Sequence, residues 1–492
     1  MRKMLITLML ALSALPCAIG QSRQMSLNEA VATARGQSVA ALSARNEFIS
    51  AYWAWRSYKA SLLPSVVLYG NLINFNRSLT LLQNYETGDM IYANTYNLQN
   101  SLGLAIRQNV TFTGGTLSLY SDLSRLDQFG GSGSLMWYAQ PITLSYTQPI
   151  FAYNQFKWDK LIEPLAYKRS KITYIERMET IGIEVAEAFF ELAAARLAHE
   201  STIVNHRNSR KMLSVARERL ALGSITRDEY LQLEMRMLSD SIKINETEIR
   251  VRTAQMALNS LLSLDERTEI EPQIDDLVPD LVLDYEQVLV LSLDNSGTLA
   301  DYELEILQAK SDVARAKANR GISIGFNARF GLSKTASEFR GVYLNPLDQE
   351  VAGLTFSIPL FDWGLGKGRV QKAKAAQAVV EAKVQQAEND YRRRVFSEVA
   401  RFNSQRGQCL VSARAAELAR ERYDLVVERF RSGSVTVTEF NNAQSEKDSA
   451  VDKYMQDIGT WWKSYLGIRK MTLYDFISGA AIDIDPEEMM EL

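Results

Sequence analysis

Two glutamates stand in matching surroundings, Glu229 in RLALGSITRDEY (Arg219–Tyr230) and Glu439 in RFRSGSVTVTEF (Arg429–Phe440). Arg219 and Arg429, Gly223 and Gly433, Ser224 and Ser434, and Thr226 and Thr436 recur in the same register at a displacement of 210 residues. Paired carboxylates could bind cations or transfer protons, but the spacing satisfies a helical turn first. A glycine supplies a positive-φ C-cap, and threonine followed three residues later by glutamate is a capping box for a returning helix. The arginines complement the macrodipole of a last helical turn, and they can serve a partner as well.

The remaining chemistry is sparse. His199 and His206 lie seven residues apart, on the order of 10 Å along a helix, too far for one metal ion. Trp363-Gly364-Leu365-Gly366-Lys367-Gly368 lacks phosphate-loop spacing, and the matching Tyr153–Phe156 has no glycine. HExxH, GxSxG and a cysteine cluster are absent from the sequence. With 55 basic against 58 acidic side chains there is no bias towards nucleic acid. The expectation is no catalytic residue, no metal and no cofactor.

Residues 1–20 read as a secretory signal, with Arg2 and Lys3, an apolar run Met4–Leu15, and Ala18-Ile19-Gly20 as the cleavage site. Pro16 before Cys17 does not suit lipid attachment. Once the signal is removed Cys409 stands alone and reads as a small apolar helix residue. Beyond the signal no run approaches the roughly 18 apolar residues of a membrane helix, so a membrane span would have to be a barrel.

Long helices must position the repeated motifs. Val370, Ala373, Ala376, Val380, Val384, Ala387, Tyr391, Val395, Val399 and Phe402 step by three and four. Ile172, Ile175, Met178, Val185, Phe189, Leu192, His199, Ile203, His206, Leu213 and Leu220 do the same in the first half. Stripes this long imply coiled-coil packing, with each helix on the order of 100 Å. The motifs at 219–230 and 429–440 become the tips of two helical hairpins, about 154–265 and 366–468.

Between the helical blocks the chain alternates like a strand. Ile322 to Leu332 alternates apolar with polar or glycine, as do Ile142 to Thr147 and Leu354 to Leu360. That pattern suits a barrel with lipid outside and water inside, and a soluble sandwich equally. Leu102–Phe112 and Leu117–Arg125, joined by Gly114-Gly115, form an additional hairpin. It either adds strands or folds on itself as a loop. Trp137, Tyr138 and Tyr146 suit an interfacial girdle or a core, and Trp461 and Trp462 read as packing anchors.

A second matched pair, QPIF with Pro149 and Phe151 and IPLF with Pro359 and Phe361, marks each strand-to-helix turn at the same displacement. SLNEAVATARGQS and DYEQVLVLSLDNS open the two halves. The chain thus reads as a signal peptide at 1–20, repeat 1 at 21–270 with strands about 64–150, and a proline-bearing linker at 271–283. Repeat 2 follows at 284–470 with strands about 322–360, and a tail at 471–492.

This order of elements, together with SLNEAV, QPIF, IPLF and both tips, resembles the TolC-like outer-membrane efflux family over essentially the whole mature chain. The resemblance implies a mainly α fold with a β portion: coiled-coil hairpins forming a periplasmic tunnel, and strands of three chains closing one barrel in the outer membrane. It implies a homotrimer in outer-membrane lipid and the periplasm, a passive conduit for small molecules, working with a periplasmic adaptor and an inner-membrane pump. Carried onto this sequence, the adaptor-facing residues are Arg219, Gly223, Ser224, Thr226, Arg429, Gly433, Ser434 and Thr436, and the entrance candidates are Asp228, Glu229, Tyr230, Glu439 and Phe440, the acidic position falling on Glu229 and Glu439. The alternatives are an exit duct for secreted proteins, or a non-conducting periplasmic coiled-coil spacer with a β cap.

Overall fold

A computed structural model describes residues 23–83, 88–130, 133–274, 278–295 and 297–483. The signal peptide and Cys17 lie outside the described residues. The chain begins with β1 (Arg23–Ser26), α1 (Leu27–Gln37) and α2 (Val39–Ser61), then β2 (Ser65–Gln83), β3 (Met90–Val110), β4 (Gly115–Gln128) and β5 (Ser134–Ile150). The first hairpin is α3 (Gln155–Ala221) and α4 (Arg227–Leu262). After β6 (Ile270–Gln273) come α5 (Tyr285–Asn295), α6 (Gly297–Ala318), β7 (Ser323–Ala336) and β8 (Leu347–Ser357). The second hairpin is α7 (Leu365–Ser432) and α8 (Val437–Thr472), followed by the short pair β9 (Tyr474–Asp475) and β10 (Ala480–Ala481). Among the described residues no helix is long and apolar enough to cross a membrane.

Two compact units result, and both repeats contribute to each. One comprises Met1–Ile49, Ser170–Gly297 and Glu388–Leu492, the other Ser50–Arg169 and Thr298–Ala387. The segment read from sequence as a linker is partly structured, because β6 pairs in parallel with β1 from Arg23↔Ile270 to Ser26↔Gln273. Repeat 1 is thereby tied back to its own start before repeat 2 begins.

The second unit holds one six-stranded antiparallel sheet in the order β2-β3-β4-β5-β7-β8. The additional hairpin is therefore part of the sheet: β3 pairs with β4 from Asn97↔Gln128 to Val110↔Gly115. Gly114, at φ 77, makes the turn, which any β-branched residue would strain. Side-chain alternation gives the sheet two unlike faces. Leu68, Leu104, Leu119, Leu144, Phe330 and Leu354 all stand exposed on one of them. An apolar surface of that extent demands a cover. The sheet does not close on itself, so β2 and β8 remain as edges.

The helical unit packs in two stretches. Phe189, Leu192, Val395, Phe402, Trp461 and Tyr465, each at most 2% exposed, anchor the larger core. Trp461 stacks on Tyr465 with ring centroids 5.6 Å apart and tilts against Phe402 at 5.4 Å. Cys409 is buried here, and burial pushes its thiol up to about 11, which makes it inert at neutral pH.

The expected stripe of α3 holds from Ile172 to Leu192, fails around Ile203, and returns at Leu213 and Leu220, which pack against the core at the tips. Ile203 is exposed, and the packed face carries Thr202, Asn205 and Ser209 instead. The reason is a polar layer between the hairpins. Asn205 Nδ2 donates to Asp448 Oδ2 at 2.8 Å, Ser201 Oγ to Asp448 Oδ1 at 2.8 Å, and Lys447 Nζ to Asn205 Oδ1 at 2.8 Å. Ser209 Oγ donates to Asp240 Oδ2 at 2.6 Å, and the Lys447 ammonium lies 4.5 Å from the Tyr423 ring centroid. Apolar periodicity cannot register such a layer, since its members satisfy one another instead of avoiding water.

Removing one partner of a buried charged layer costs more than removing an exposed ion pair. Asp448→Ala should destabilise the helical unit by about 2–4 kcal/mol, whereas Glu446→Ala, which breaks an exposed pair with Arg422, should stay within about 0.5 kcal/mol. Chemical denaturation followed by circular dichroism checks the difference, and equal midpoints would show that the layer contributes nothing.

Candidate functional site

The hairpin tips are built alike, down to individual hydrogen bonds. Gly223 has φ 69 and Gly433 φ 84. Ser224 N–H donates to Arg219 C=O at 2.8 Å and Gly223 N–H to Leu220 C=O at 3.0 Å, and Ser434 and Gly433 donate to Arg429 and Phe430 at 2.9 and 3.1 Å. This double bond pattern with a left-handed glycine is a Schellman C-cap. Thr226 and Thr436 then N-cap α4 and α8, and Glu229 and Glu439 reach back to the threonine N–H groups at 2.9 and 3.0 Å. Both capping boxes are closed.

A small core joins the tips. Tyr230, Leu233, Tyr423, Phe430, Val437 and Phe440 pack with Met212 and Ala216. Phe440 and Tyr230, two of the entrance candidates, are 0% and 7% exposed. Their rings fill the space between the hairpins, which their position one turn beyond each N-cap required. Asp228, Ser224, Ser434, Thr226, Thr436 and Glu439 are exposed, and Glu229 is half-buried.

The two tip arginines have separated roles. Arg219 crosses to the other tip, where Nη1 donates to Phe430 C=O at 3.4 Å and the guanidinium lies 5.7 Å from the Phe430 ring centroid. A Cβ added at Gly433 would stand 2.9 Å from Arg219 Nη2, while one at Gly223 meets nothing within 4 Å. Arg429 is exposed. Sequence alone could not tell the arginines apart, because the asymmetry arises only when one tip leans on the other.

The strand-to-helix turns differ more than their sequences suggest. Phe151 adopts φ 61, and Asn154 then caps α3, its Oδ1 accepting from Lys157 N–H at 3.3 Å. In repeat 2 the left-handed residues are Trp363 and Gly364, at φ 53 and 85. Asp362 accepts from Gly366 N–H at 2.7 Å and Gly364 N–H at 2.9 Å, and these bonds hold its carboxyl below the usual carboxylate range. The glycine-rich segment is thus a helix start closed by its own aspartate. Phe112, Phe151, Phe361 and Trp363 are exposed beside Pro149 and Pro359, at the sheet end where strands meet helices. Trp137, Phe339 and Tyr343 pack edge to face towards the opposite end.

The polar sheet face carries groups that sequence analysis did not single out. Tyr69 hydroxyl donates to Asp122 Oδ1 at 2.5 Å, and the Arg329 guanidinium lies 5.8 Å from the Tyr120 ring centroid. Gly103 sits between Tyr69 and Asp122, where any Cβ would collide with the carboxylate. The signal was present as Asp122 and Arg329 in otherwise alternating strands, but pairing across strands had to be known first. His199 Nδ1 lies 2.9 Å from Thr247 Oγ1, a packing contact between α3 and α4. Among the described residues no group of histidine, cysteine and acidic side chains is placed to hold a metal.

No curated protein matches the chain by sequence. Residues 288–472 match the family described as outer membrane efflux protein. Among solved structures, the CmeC outer membrane channel of Campylobacter jejuni is 14% identical with a TM-score of 0.65, covering 94% of this chain and 88% of that one. The outer membrane protein VceC of Vibrio cholerae is 14% identical with a TM-score of 0.63, covering 93% and 97%. The MtrE outer membrane channel of Neisseria gonorrhoeae, in its open state, is 14% identical with a TM-score of 0.56, covering 93% and 90%. The second repeat thus matches the outer membrane efflux protein family, and the fold shared with these channels runs through both repeats.

Proposed function

We propose that the chain is one subunit of a homotrimeric outer-membrane channel, a passive conduit for small molecules that an inner-membrane pump and a periplasmic adaptor hand on. The observation that carries this reading is a sheet with one apolar face, one polar face and two unpaired edges, on the same chain as two helical hairpins with the same tip. Backbone groups at a sheet edge cannot be left unpaired in hydrocarbon. Copies of the chain that join β8 to β2 of the next satisfy both edges at once and turn the apolar faces towards lipid. The aromatic side chains near both ends of the strands suit the two interfaces of a membrane.

The tips supply the docking surface and the entrance. Arg429, Ser224, Ser434, Thr226 and Thr436 offer exposed donors and a cation to an adaptor, while Gly223 and Gly433 set the turn that presents them. Arg219 acts within the protein by bracing the second tip. Glu229 and Glu439, repeated by threefold symmetry, surround the entrance with carboxylates that favour cations. Their capping bonds use one oxygen of each carboxylate, and the other stays available. No part of this proposal needs a catalytic group or a cofactor.

Recording from the purified protein in planar bilayers tests the channel. Discrete openings are expected, and a bilayer that stays silent even with variants altered at the tips would sink the proposal in favour of a spacer.

Two tip predictions follow from the geometry. Glu229→Gln with Glu439→Gln should lower cation selectivity in reversal-potential measurements while each helix keeps its cap, since glutamine also serves in a capping box; unchanged selectivity would leave the carboxylates with capping alone. Gly433→Val should impair adaptor-dependent export more than Gly223→Val. Both variants carry the roughly 1–2 kcal/mol left-handed penalty, but only the first displaces Arg219. Export assays beside quantification of membrane-inserted protein check this, and equal effects would remove the bracing role of Arg219.

A further inference from the structure

The end of α6 and the start of α7 enclose a basic pocket beside the strand ends. Asp312, Arg315, Asn319 and Arg320 line it on one side and Gly366 and Arg369 on the other, around about 220 Å³. Gly366 lets the two walls close, since a Cβ there would stand 2.7 Å from Arg320 Cγ. Among the described residues the guanidinium groups of Arg320 and Arg369 enter no hydrogen bond or ion pair. Arg315 is already engaged, 4.9 Å from the Tyr153 ring centroid and 3.8 Å from Asp312 Oδ1, with Asp159 of α3 acting on it as well. The first amides of α7 are taken by Asp362, so what the pocket offers a ligand is its two unpaired arginines.

The fold does not require this charge. Residues 312–320 and 362–369 hold five cations, Arg315, Lys317, Arg320, Lys367 and Arg369, against Asp312 and Asp362. The macrodipole favours Arg315 and Lys317 in the last turn of α6, but it opposes Lys367 and Arg369 at the start of α7, whose first turn has no acid. After Asp362 the next acidic residue is Glu381. At the displacement of 210 residues Arg369 corresponds to Asp159, so the other copy of the unit folds with the opposite charge at that place. A concave surface with surplus positive charge concentrates anions, and planar guanidinium forks match the oxygens of a phosphate.

The surroundings identify the kind of anion. Trp363 and Leu365, 89% and 56% exposed, adjoin Gly366 in the chain. Arg320 stands three residues before β7, within about 10 Å of the strand. A soluble anion would use the arginines and leave Trp363 and Leu365 in water, whereas a lipid uses both. Basic pockets at this depth of a membrane protein take lipid headgroups.

We infer that the pocket binds the phosphate of an anionic phospholipid in the periplasmic leaflet of the outer membrane. Arg320 and Arg369 hold the phosphate oxygens from the two walls, and Trp363 and Leu365 lie against the beginning of the acyl chains. This rests on the sheet spanning the membrane as proposed above.

Native mass spectrometry of the full-length protein, titrated with phosphatidylglycerol against phosphatidylcholine, tests the site. Phosphatidylglycerol should be retained in preference, and Arg320→Ala with Arg369→Ala should lower its retention at least about tenfold. Lys372→Ala with Lys374→Ala, which removes the same charge further along α7, should leave retention unchanged. Equal loss from both pairs would mean diffuse attraction and overturn the pocket, as would no loss from either. Release of the lipid by inorganic phosphate in large excess would show a site for free phosphate and overturn the lipid assignment. If the alanine pair fails to reach the membrane, Arg320→Lys with Arg369→Lys takes its place, and it should bind more weakly because the forks are gone; retention equal to that of the native protein overturns the inference. Openings in planar bilayers of phosphatidylcholine report the channel separately. Conduction without lipid preference rejects the site and leaves the channel, and silent bilayers with phosphatidylglycerol retained reject the channel and leave the site.

Discussion

A strand cannot end its hydrogen bonding in hydrocarbon, and this sheet ends it twice, at β2 and at β8. Much of the chain's design answers that constraint. The apolar face alternates strictly enough that a one-residue slip would turn leucines to the polar side. The register is accordingly fixed by glycines where large groups cross, as at Gly103 beneath Tyr69 and Asp122. Twist is introduced at bulges between Asn71 and Asn74 and between Tyr120 and Asp122. A protomer folded this way leaves two sheet edges and an apolar face uncovered, and the proposed assembly would cover both.

The helical unit shows the same incompleteness in another form. Its inner faces are satisfied by the aromatic core around Trp461, by the polar layer around Asp448, and by the tip core around Phe440. Its outer faces on α4 and α7 are left apolar. The polar layer limits how the hairpins can slide, because Asp448 serves Ser201 and Asn205 together, and a shift by one turn would strand Lys447. Apolar layers tolerate such shifts far better than hydrogen-bonded ones. The layer thus fixes the level of one tip against the other.

What could be read from the sequence was whatever repeats or alternates. The duplicated tips gave their C-caps and capping boxes correctly because those interactions are local, spanning three to five residues. Coiled-coil stripes were legible where the packed face is apolar, from Ile172 to Leu192, and misleading where it is polar, so that Ile203 was placed inside and Asn205 overlooked. The role of the hairpin around Gly114-Gly115 stayed open because pairing with β2 and β5 is a property of distant strands. Family likeness could not settle it either, since the resemblance describes a simpler arrangement.

Duplication explains one further feature, the unequal fate of equivalent residues. Arg219 and Arg429 occupy the same place in their motifs, as do Phe151 and Phe361 in theirs, yet one of each pair is used differently. Two copies of a unit that pack against each other inside one chain cannot keep equivalent surroundings, because a place that its sibling covers on one copy is left uncovered on the other. Arg219 finds Phe430 within the chain, while Arg429 is exposed. The same motif thus braces one tip from within the chain and leaves the equivalent arginine of the other open to solvent.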